Sequence, residues 1–350
     1  MSYQSMKEAE AEQVRSAAPP SPEHIFQTLN AYQRAAALKG AIELELFTAI
    51  AEGANTVAAI AARCHTSERG TRILCDYLVI NDFLTKADNT YNLTRDSAVF
   101  LNRHSPAYLG GVTRFLNSPH LINAFHDVAE TVRRGTTIMG GEGAMEPEHP
   151  MWVDFARAMM PMMAPSAEEI ATLLEADKGE QCKVLDLAAG HGIFGVAIAR
   201  RNPQAEVTAL DWPSVLAVAL ENAQTAGVAD RYDTLPGSAF EVAYGADYDV
   251  VLITNFFHHF DPPTCEKLMQ KAHAALKPGG CAVTLEFVPN DDRITPPGQA
   301  AFSLTMLGTT AAGDAYTFVE YERMFRNAGF ARNELHDLQM SPQRVIVSWK

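Results

Sequence analysis

A histidine and a glutamate in the second half of the chain could together remove a proton from a bound molecule. His258 follows the apolar run YDVVLITNFF, and Glu286 lies within the apolar run AVTLEF. Because an unpaired buried carboxylate is costly, Glu286 is expected to have a partner. An imidazole oriented by a carboxylate is a general-base pair. A histidine among aromatic residues is often structural, but a position at a strand end favours acid–base chemistry here.

A glycine-rich stretch with an acid on either side predicts a nucleotide site. Gly190, Gly192 and Gly195 fit the pattern G-x-G-x-x-G. Glycines let the backbone approach a ligand, and the helix that follows offers free N–H groups to a carboxylate or phosphate. Asp186 precedes the turn, and Asp211 ends the next predicted strand, where it can accept two hydrogen bonds from a ribose diol. The preceding acid and the position past the middle of the chain favour an adenosine ligand over NAD.

Alternating strand and helix signals surround these residues and must position them. This alternation indicates an α/β fold with a mostly parallel, doubly wound sheet. Ligands of such sheets bind beyond the carboxyl ends of the strands, so the glycine turn, Asp211, His258 and Glu286 are expected at one edge. The predicted strands are 184–187, 207–210, one in YDVVLITNFFHHF that runs into the aromatic and histidine cluster, 282–287, 334–338 and 344–349.

The N-terminal region predicts a helical domain that carries a hairpin. Residues 1–22 are charged, alanine-rich and end in prolines, which is typical of a disordered arm. Residues 23–145 contain apolar helices, one of them predicted over 35–51 and two others capped by Thr56 and Ser67, with a polar hairpin over LTKADNTYNLT. This winged-helix pattern could bind DNA, but the net charge of −14 disfavours a polyanion. The excess of apolar helices favours a homodimer through this domain.

The segment GGEGAMEPEHP predicts an interdomain boundary, with the second domain over 146–350.

Composition excludes several classes of protein. The five cysteines among the 350 residues form no C-x-x-C pair, so we expect neither a disulfide framework nor a metal site. The chain has no apolar run long enough to cross a bilayer and its N-terminus is too polar for a signal peptide, so a cytoplasmic location is expected.

A methionine-rich helix predicts a surface for a flat, apolar substrate. The segment MWVDFARAMMPMMAPSAEEIATLLEA holds five methionines, and thioethers adapt to irregular shapes. The alternative is that these methionines fill gaps in the core. The residues predicted to grip an aromatic ring are Phe155, Met159, Met162, Met163, Phe302 and Met306.

The motifs together resemble the small-molecule O-methyltransferases that act on caffeic acid, hydroxyindoles and polyketide phenols. The resemblance covers about residues 23–350 and rests on FARAM, VLDLAAGHG, ALDWP, LPGSAF, FFHHFDPPTC, LKPGG, VTLEF and MLGTTAAGDAYT. It implies a winged-helix dimerisation domain joined to a Rossmann-like domain that binds S-adenosylmethionine (SAM). It further implies that His258 is the general base and that Glu286 orients it. The implied cofactor contacts are Asp186, Ala188, Gly190, Asp211, Trp212, Ser238, Ala239, Phe240 and Thr254.

The chain departs from the plant members of this family near the base. The catalytic histidine is followed there by aspartate, and here by His259. A second orienting acid matches Ala315, with Asp314 one residue away, which leaves the roles of Asp314 and His259 open. Ser238 replaces the adenine-side acid, and Thr254 stands where the family has a lysine on the fourth strand.

The resulting hypothesis is SN2 transfer of a methyl group from SAM to a phenolic hydroxyl of a small aromatic molecule, leaving S-adenosylhomocysteine and using no metal. A free phenol has a pKa of about 10, so proton removal by a base helps at neutral pH. One alternative keeps the fold and methylates carbon or nitrogen by positioning alone. Two others are a non-catalytic winged-helix regulator and, last, an NAD oxidoreductase.

Overall fold

The computed structural model of the protein describes residues 19–140 and 151–350. The chain divides into two compact units, Met1–Gly110 and Gly111–Lys350. Most of the predicted arm and the predicted boundary between residues 145 and 146 lie outside the described residues, so both stay predictions.

The first unit consists of helices and one short hairpin. Thr56 and Ser67 cap two of the helices, since their hydroxyls accept hydrogen bonds from Ala59 N at 3.3 Å and Gly70 N at 3.1 Å. Both caps were predicted, as was the hairpin. The helices are α1 (Glu23–Leu29), α2 (Ala31–Glu43), α3 (Leu46–Ala51), α4 (Val57–Cys64), α5 (Glu68–Ile80) and α6 (Arg95–Phe100). The hairpin pairs β1 (Leu84–Ala87) with β2 (Thr90–Leu93) in antiparallel register.

The single helix predicted over 35–51 is wrong, because α2 and α3 are separate helices. Glu45 between them has a φ of 55°, a left-handed conformation that ends a right-handed helix. Its carboxylate also accepts a hydrogen bond from Arg103, which ties the break to a distant part of the same unit. Side chains around Phe47, Leu78 and Tyr91 fill the core of this unit.

The second unit contains most of the long helices. They are α7 (Thr113–Leu116), α8 (Pro119–Ala124), α9 (Val128–Arg134), α10 (Met151–Leu173), α11 (Ile193–Arg201), α12 (Pro213–Thr225), α13 (Pro262–Ala275), α14 (Pro297–Thr309) and α15 (Phe318–Asn327). Short 3₁₀ turns occur at Gly110–Val112, Ala176–Lys178, Ala229–Arg231 and Phe257–His259.

A seven-stranded sheet forms the centre of the second unit. Its order is β5-β4-β3-β6-β7-β9-β8, in which the first five strands run parallel and β9 pairs antiparallel with both β7 and β8. This confirms the predicted α/β class with a mostly parallel sheet. The strands are β3 (Cys182–Leu187), β4 (Ala205–Asp211), β5 (Tyr232–Pro236), β6 (Tyr248–Thr254), β7 (Leu276–Glu286), β8 (Arg332–Asp337) and β9 (Arg344–Trp349).

Apolar side chains cover both faces of the sheet. On β3 the residues alternate, so that Val184 packs into one hydrophobic cluster while Leu185 and Leu187 pack into the other. A strand buried on both faces needs apolar residues at successive positions, and this explains the continuous apolar runs seen in the sequence. The polar exceptions, Asp186 and Glu286, both lie close to the carboxyl ends of their strands.

Within residues 19–140 and 151–350, no helix combines the length and the apolar character needed to cross a membrane. The same residues contain no group of three or more histidine, cysteine, aspartate or glutamate side chains suited to hold a metal ion.

Candidate active site

A cavity of about 370 Å³ opens at the carboxyl ends of β3, β4, β5 and β6. This volume lies in the range of small-molecule sites, and its position is where ligands bind in doubly wound sheets. Most of the predicted cofactor contacts line it, together with one of the predicted substrate contacts. These residues are Phe155, Ala188, Gly190, Asp211, Trp212, Ser238, Ala239, Phe240 and Thr254.

The glycine turn forms one wall of the cavity. Gly190 has a φ of 57°, and a Cβ built on it meets nothing closer than the Ala188 carbonyl oxygen at 4.0 Å. At Gly192 a Cβ would come within 2.4 Å of the Tyr232 hydroxyl, and at Gly195 within 2.7 Å of Val207. Gly192 and Gly195 are therefore needed for packing within the protein, whereas Gly190 leaves open space on the side of the cavity.

Asp211 connects the end of β4 to the glycine turn. Its Oδ2 accepts a hydrogen bond from Gly190 N at 2.8 Å, and its Oδ1 accepts one from Trp212 N at 2.7 Å. Burial outweighs these two hydrogen bonds and raises the pKa of Asp211 to about 6. The group is thus held in a fixed position at the cavity wall and is ionised at neutral pH.

Asp186 lies beneath the turn and does not line the cavity. The side chain is fully buried, and its Oδ2 accepts a hydrogen bond from Gly195 N at 3.1 Å. Its Oδ1 has no hydrogen-bond partner in the described part of the chain. Burial raises the pKa of Asp186 to about 8, although the hydrogen bond from Gly195 acts in the opposite direction. The predicted contact of this residue with a cofactor stays a prediction.

His258 and Glu286 lie together, next to the ends of β6 and β7. His258 Nδ1 is 2.5 Å from Glu286 Oε2, and both side chains are buried. The other oxygen, Oε1, accepts hydrogen bonds from Phe256 N and Phe257 N, each at 2.9 Å. Every oxygen of this buried carboxylate therefore has a donor, and the imidazole is held in one orientation through Nδ1.

Aromatic rings surround this pair. The ring of Phe302 on α14 lies edge-on to His258, with centroids 5.0 Å apart, and stacks on Phe287 at 4.0 Å. On another side, the His259 ring is 4.2 Å from that of His258 and 5.7 Å from that of Trp152. The structure thus brings Phe302 to the histidine, and its role as a substrate contact stays a prediction.

The predicted methionine contacts lie away from the cavity wall. Met159 and Met163 on α10 are buried in the hydrophobic cluster on one face of the sheet, and Met306 on α14 is also buried. Met163 Sδ is 3.7 Å from Asn255 Nδ2, and Asn255 does line the cavity. The role of these methionines as substrate contacts stays a prediction.

Several cavity residues were not predicted as site residues. His191, the variable position inside G-x-G, lines the cavity and is buried, which lowers its pKa to about 4. His259 also lines it, and burial together with the neighbouring His258 lowers its pKa well below the usual value. Asn255 has a φ of 56° directly after β6. The sequence feature that could have identified His191, Asn255 and His259 as site residues is their position next to motif residues.

At two positions where the chain departs from the plant enzymes, Asp314 has another partner and Ala315 carries no carboxylate. Asp314, next to the position of the second orienting acid, forms an ion pair with Arg293 at 3.3 Å. Ala315 itself is fully buried. In the described residues Glu286 is thus the carboxylate that contacts His258.

Comparison with known proteins decides the family. A model of the O-methyltransferase domain family matches residues 154–331, which is just over half of the chain. The chain belongs to the O-methyltransferase family. A second model, of the O-methyltransferase dimerisation domain, matches residues 26–103. The protein is a SAM-dependent O-methyltransferase, and the resemblance found in the sequence is confirmed.

Relatives of this O-methyltransferase cover nearly its full length. The tetracenomycin polyketide synthesis 8-O-methyl transferase of Streptomyces glaucescens is 27% identical, over 88% of this chain and 91% of that protein. A crystal structure from Nostoc punctiforme, assigned as an O-methyltransferase, is 55% identical with a TM-score of 0.92, over 95% of this chain and 100% of that one. Human N-acetylserotonin methyltransferase, solved in complex with SAM, shares the fold at 22% identity and a TM-score of 0.82, over 96% and 99%.

The residues of this methyltransferase fit the methyl donor. Gly190 leaves open space where a ligand can approach the backbone, and the Asp211 carboxylate is aligned beside it by two N–H donors. The cavity wall is mainly apolar and aromatic with few polar groups, as in other small-molecule sites. The lining residues include the carboxylates Asp211 and Glu241 and no lysine or arginine, which suits a ligand with a cationic sulfonium.

Proposed function

We propose that this methyltransferase methylates a hydroxyl oxygen, most simply a phenolic one, of a small aromatic molecule, with His258 as the general base and Glu286 as the residue that orients it. The observation that supports this proposal most directly is the contact between His258 Nδ1 and Glu286 Oε2 at 2.5 Å. When bound, SAM supplies an electrophilic methyl group on a sulfonium.

The hydrogen bond assigns a separate role to each nitrogen of His258. An ionised carboxylate only accepts hydrogen bonds, so Nδ1 carries the proton and Nε2 keeps its lone pair. Nε2 is then the atom that takes the proton of the acceptor hydroxyl. Glu286 is held by Phe256 N and Phe257 N, so it stays in place while the imidazole becomes charged.

Two effects act on the acceptor oxygen. Proton transfer to a positioned base typically contributes about 10²–10⁴-fold. Alignment of the oxygen with the methyl group can contribute about 7–11 kcal/mol, which is the larger share. The rigid setting of His258 between Glu286, Phe302 and His259 serves both effects.

Glycine-turn and loop residues are proposed to hold the donor. The carboxylate of Asp211 accepts hydrogen bonds from the ribose hydroxyls, and the backbone at Ala188 and Gly190 approaches the donor closely. Ser238, Ala239 and Phe240 contact the adenine side, with Trp212 and Thr254 as further contacts. Asp186 supports the turn from below through Gly195.

The aromatic surroundings support an aromatic acceptor. Phe302 stands edge-on to the base, and Phe155 and Trp152 line the cavity on another side. Rings in these arrangements attract one another beyond simple burial. The relative from Streptomyces glaucescens, named for 8-O-methylation in polyketide synthesis, supports an acceptor of this kind. Met159, Met163 and Met306 are proposed to back this surface.

The base role is tested by the variant His258→Ala. Turnover with a phenolic acceptor is expected to fall at least about a hundredfold, because proton removal is lost. SAM affinity, measured by calorimetry, is expected to stay the same. The matched control is His273→Gln on α13, a histidine whose ring packs against Phe330, with turnover like the wild type. Retained turnover in His258→Ala would contradict the base role.

Acceptance by carbon or nitrogen is the second candidate. The fully buried Ala315 at the position of a second orienting acid, with Asp314 paired to Arg293, favours a site that relies on positioning. NMR of the methylated product separates the two candidates, since an O-methyl and a C- or N-methyl group differ in chemical shift. A panel of phenols, flavonoids and hydroxyindoles with labelled SAM identifies the acceptor.

We further propose that the predicted domain 23–145 makes the protein a homodimer. The match to a dimerisation-domain family over 26–103 supports this. So do Ile25, Phe26, Leu29 and Tyr32 of the first two helices, each more than half exposed. Sedimentation equilibrium is expected to give twice the monomer mass of 38.2 kDa, and a monomer at micromolar concentration would refute the proposal.

A further inference from the structure

One wall of the cavity is a loop that has little regular structure of its own. Residues 237–242 follow β5, and five consecutive residues of this segment, from Gly237 to Glu241, line the cavity. A short turn holds the segment, in which Glu241 N and Val242 N both donate to the Ser238 carbonyl oxygen at 3.0 and 2.9 Å. Because loops without further support are mobile, the shape of this wall depends on contacts from outside the segment.

One lysine supplies three of those contacts, besides the hydrogen bond from Gly237 N to the Asp211 carbonyl oxygen and the packing of the Phe240 ring against Phe260. Lys271 on α13 points its ammonium at three carbonyl oxygens of the loop: Ala239 and Phe240 at 2.8 Å and Val242 at 3.1 Å. An ammonium has three N–H donors, so all of them are used within one loop. Hydrogen bonds from a charged donor are about twice as strong as neutral ones.

Tyr244 completes the arrangement. Its hydroxyl donates to the Ala239 carbonyl oxygen at 2.6 Å, and its ring lies under the Lys271 ammonium, with the nitrogen 4.4 Å from the centroid. Burial lowers the pKa of Lys271, which follows from the partial loss of water around its charge. Carbonyl dipoles and an aromatic face thus replace that water.

We propose that Lys271 is a positioning residue that holds segment 237–242 in the shape that binds the adenosine part of SAM. The inference rests on the proposed cofactor role of Ser238, Ala239 and Phe240. It assigns no chemical step to Lys271, since the ammonium faces the loop carbonyls and not the cavity. Loss of the ammonium therefore weakens binding of the donor and leaves proton transfer at His258 unchanged.

A second cation in the same unit provides a matched control. Nη1 of the Arg231 guanidinium lies 3.0–3.2 Å from three carbonyl oxygens, those of Ala199, Asn202 and Ala205, and shares its two N–H donors among them. None of these three residues lines the cavity. Arg231 thus joins backbone segments by the same kind of contact, but away from the site.

The experiment compares Lys271→Met with Arg231→Met. In Lys271→Met, calorimetry without acceptor is expected to give dissociation constants for SAM and S-adenosylhomocysteine that are about tenfold higher, equivalent to about 1.4 kcal/mol. The KM for SAM rises in parallel, whereas kcat at saturating SAM and the KM for the acceptor stay within about twofold. Arg231→Met is expected to lower the melting temperature and keep the affinity for SAM.

Three results would overturn the inference. One is an unchanged SAM dissociation constant in Lys271→Met, and another is an equal loss of SAM affinity in both variants, which indicates general loosening. Should Lys271→Met fail to fold, the variant Lys271→Gln, whose side chain retains two N–H donors, takes its place. The backbone amides of residues 237–242 in Lys271→Gln are expected to exchange with deuterium faster than in the wild type. Unchanged exchange of these amides is the third result that would overturn the inference. Wild-type protein that binds no SAM would instead refute the cofactor roles proposed above.

Discussion

Two buried carboxylates near the ends of strands in one sheet have very different surroundings. Glu286 on β7 and Asp186 on β3 are both fully buried. Glu286 has three hydrogen-bond partners, one of them the imidazole of His258. Asp186 has one, Gly195 N, and its second oxygen has none among the described residues. Equal burial therefore does not imply equal hydrogen bonding.

The difference in hydrogen bonding agrees with the separate roles that we propose for Glu286 and Asp186. Donors on both oxygens compensate the charge of Glu286, which can then orient a base. Asp186 lacks such donors, and its pKa of about 8 means that it is largely protonated at neutral pH. Asp211, with two backbone donors, has a pKa of about 6. Of the two buried aspartates, the one with more donors thus has the lower pKa.

The largest effect is expected from Glu286→Gln. An amide in place of the carboxylate presents an N–H to His258 Nδ1, which forces the proton onto Nε2 and removes the basic lone pair. Turnover is expected to fall about a hundredfold, since a wrong tautomer is known to be costly in such pairs. Steady-state kinetics at saturating SAM measure this loss.

Glu206→Gln, an exposed substitution on β4, serves as the control and should behave like the wild type. Should Glu286→Gln turn over as fast as this control, the contrast between the two buried carboxylates would have no chemical meaning.

A smaller effect is expected from Asp211→Asn. The amide accepts hydrogen bonds less strongly than the carboxylate, so SAM affinity is expected to fall about tenfold. Because burial raises the pKa of Asp211 to about 6, wild-type affinity for SAM should decrease as the pH falls through that value. Calorimetry across this range should give a flat profile for the variant. The exposed Asp233→Asn is the control, and an equally flat wild-type profile would contradict the role of the ionised group.

The smallest effect concerns stability and Asp186→Asn. The folded-state pKa of about 8 lies above that of an unfolded aspartate, about 3.9, so between these values the folded protein holds a proton that the unfolded chain has released. Stability contributed by this group is present at low pH and is lost as the pH rises toward about 8.

The free energy of unfolding of the wild type, measured in urea, should therefore have a slope of about −1.4 kcal/mol per pH unit from this group, and the asparagine variant should lack it. The free energies of unfolding of the two proteins should diverge in favour of the variant as the pH rises. A constant difference across the range would show that Asp186 is ionised in the folded state.

Most of the sheet and the glycine turn at the cavity were predictable because their signals are local. Gly190 and Asp211 lie in one strand–turn–helix–strand unit, where a short spacing determines which strand ends are neighbours. His258 and Glu286 were predictable as a pair only from their positions at the ends of parallel strands, since 28 residues separate them. The predicted caps at Thr56 and Ser67 likewise depend on contacts three residues away.

The features that the sequence did not predict depend on local backbone conformations or on contacts between residues that are distant in the chain. The donors to Glu286 are backbone N–H groups of Phe256 and Phe257, and their direction follows from the left-handed Asn255, which no periodicity indicates. The break at Glu45 is likewise a backbone feature inside a run of good helix formers. Lys271 looked like any exposed helical lysine in the sequence, because its three acceptors lie about 30 residues earlier.

The glycine turn has a consequence for how such a chain could change over generations. Gly192 and Gly195 are required by Tyr232, Ala219 and Val207, so a descendant that kept the fold and abandoned methyl transfer would still retain both. A Cβ on Gly190 would meet nothing closer than 4.0 Å, and the φ of this residue is one that asparagine or aspartate also tolerates. Among descendants of this protein, the residue at position 190 would be the first of the three to record a loss of the donor.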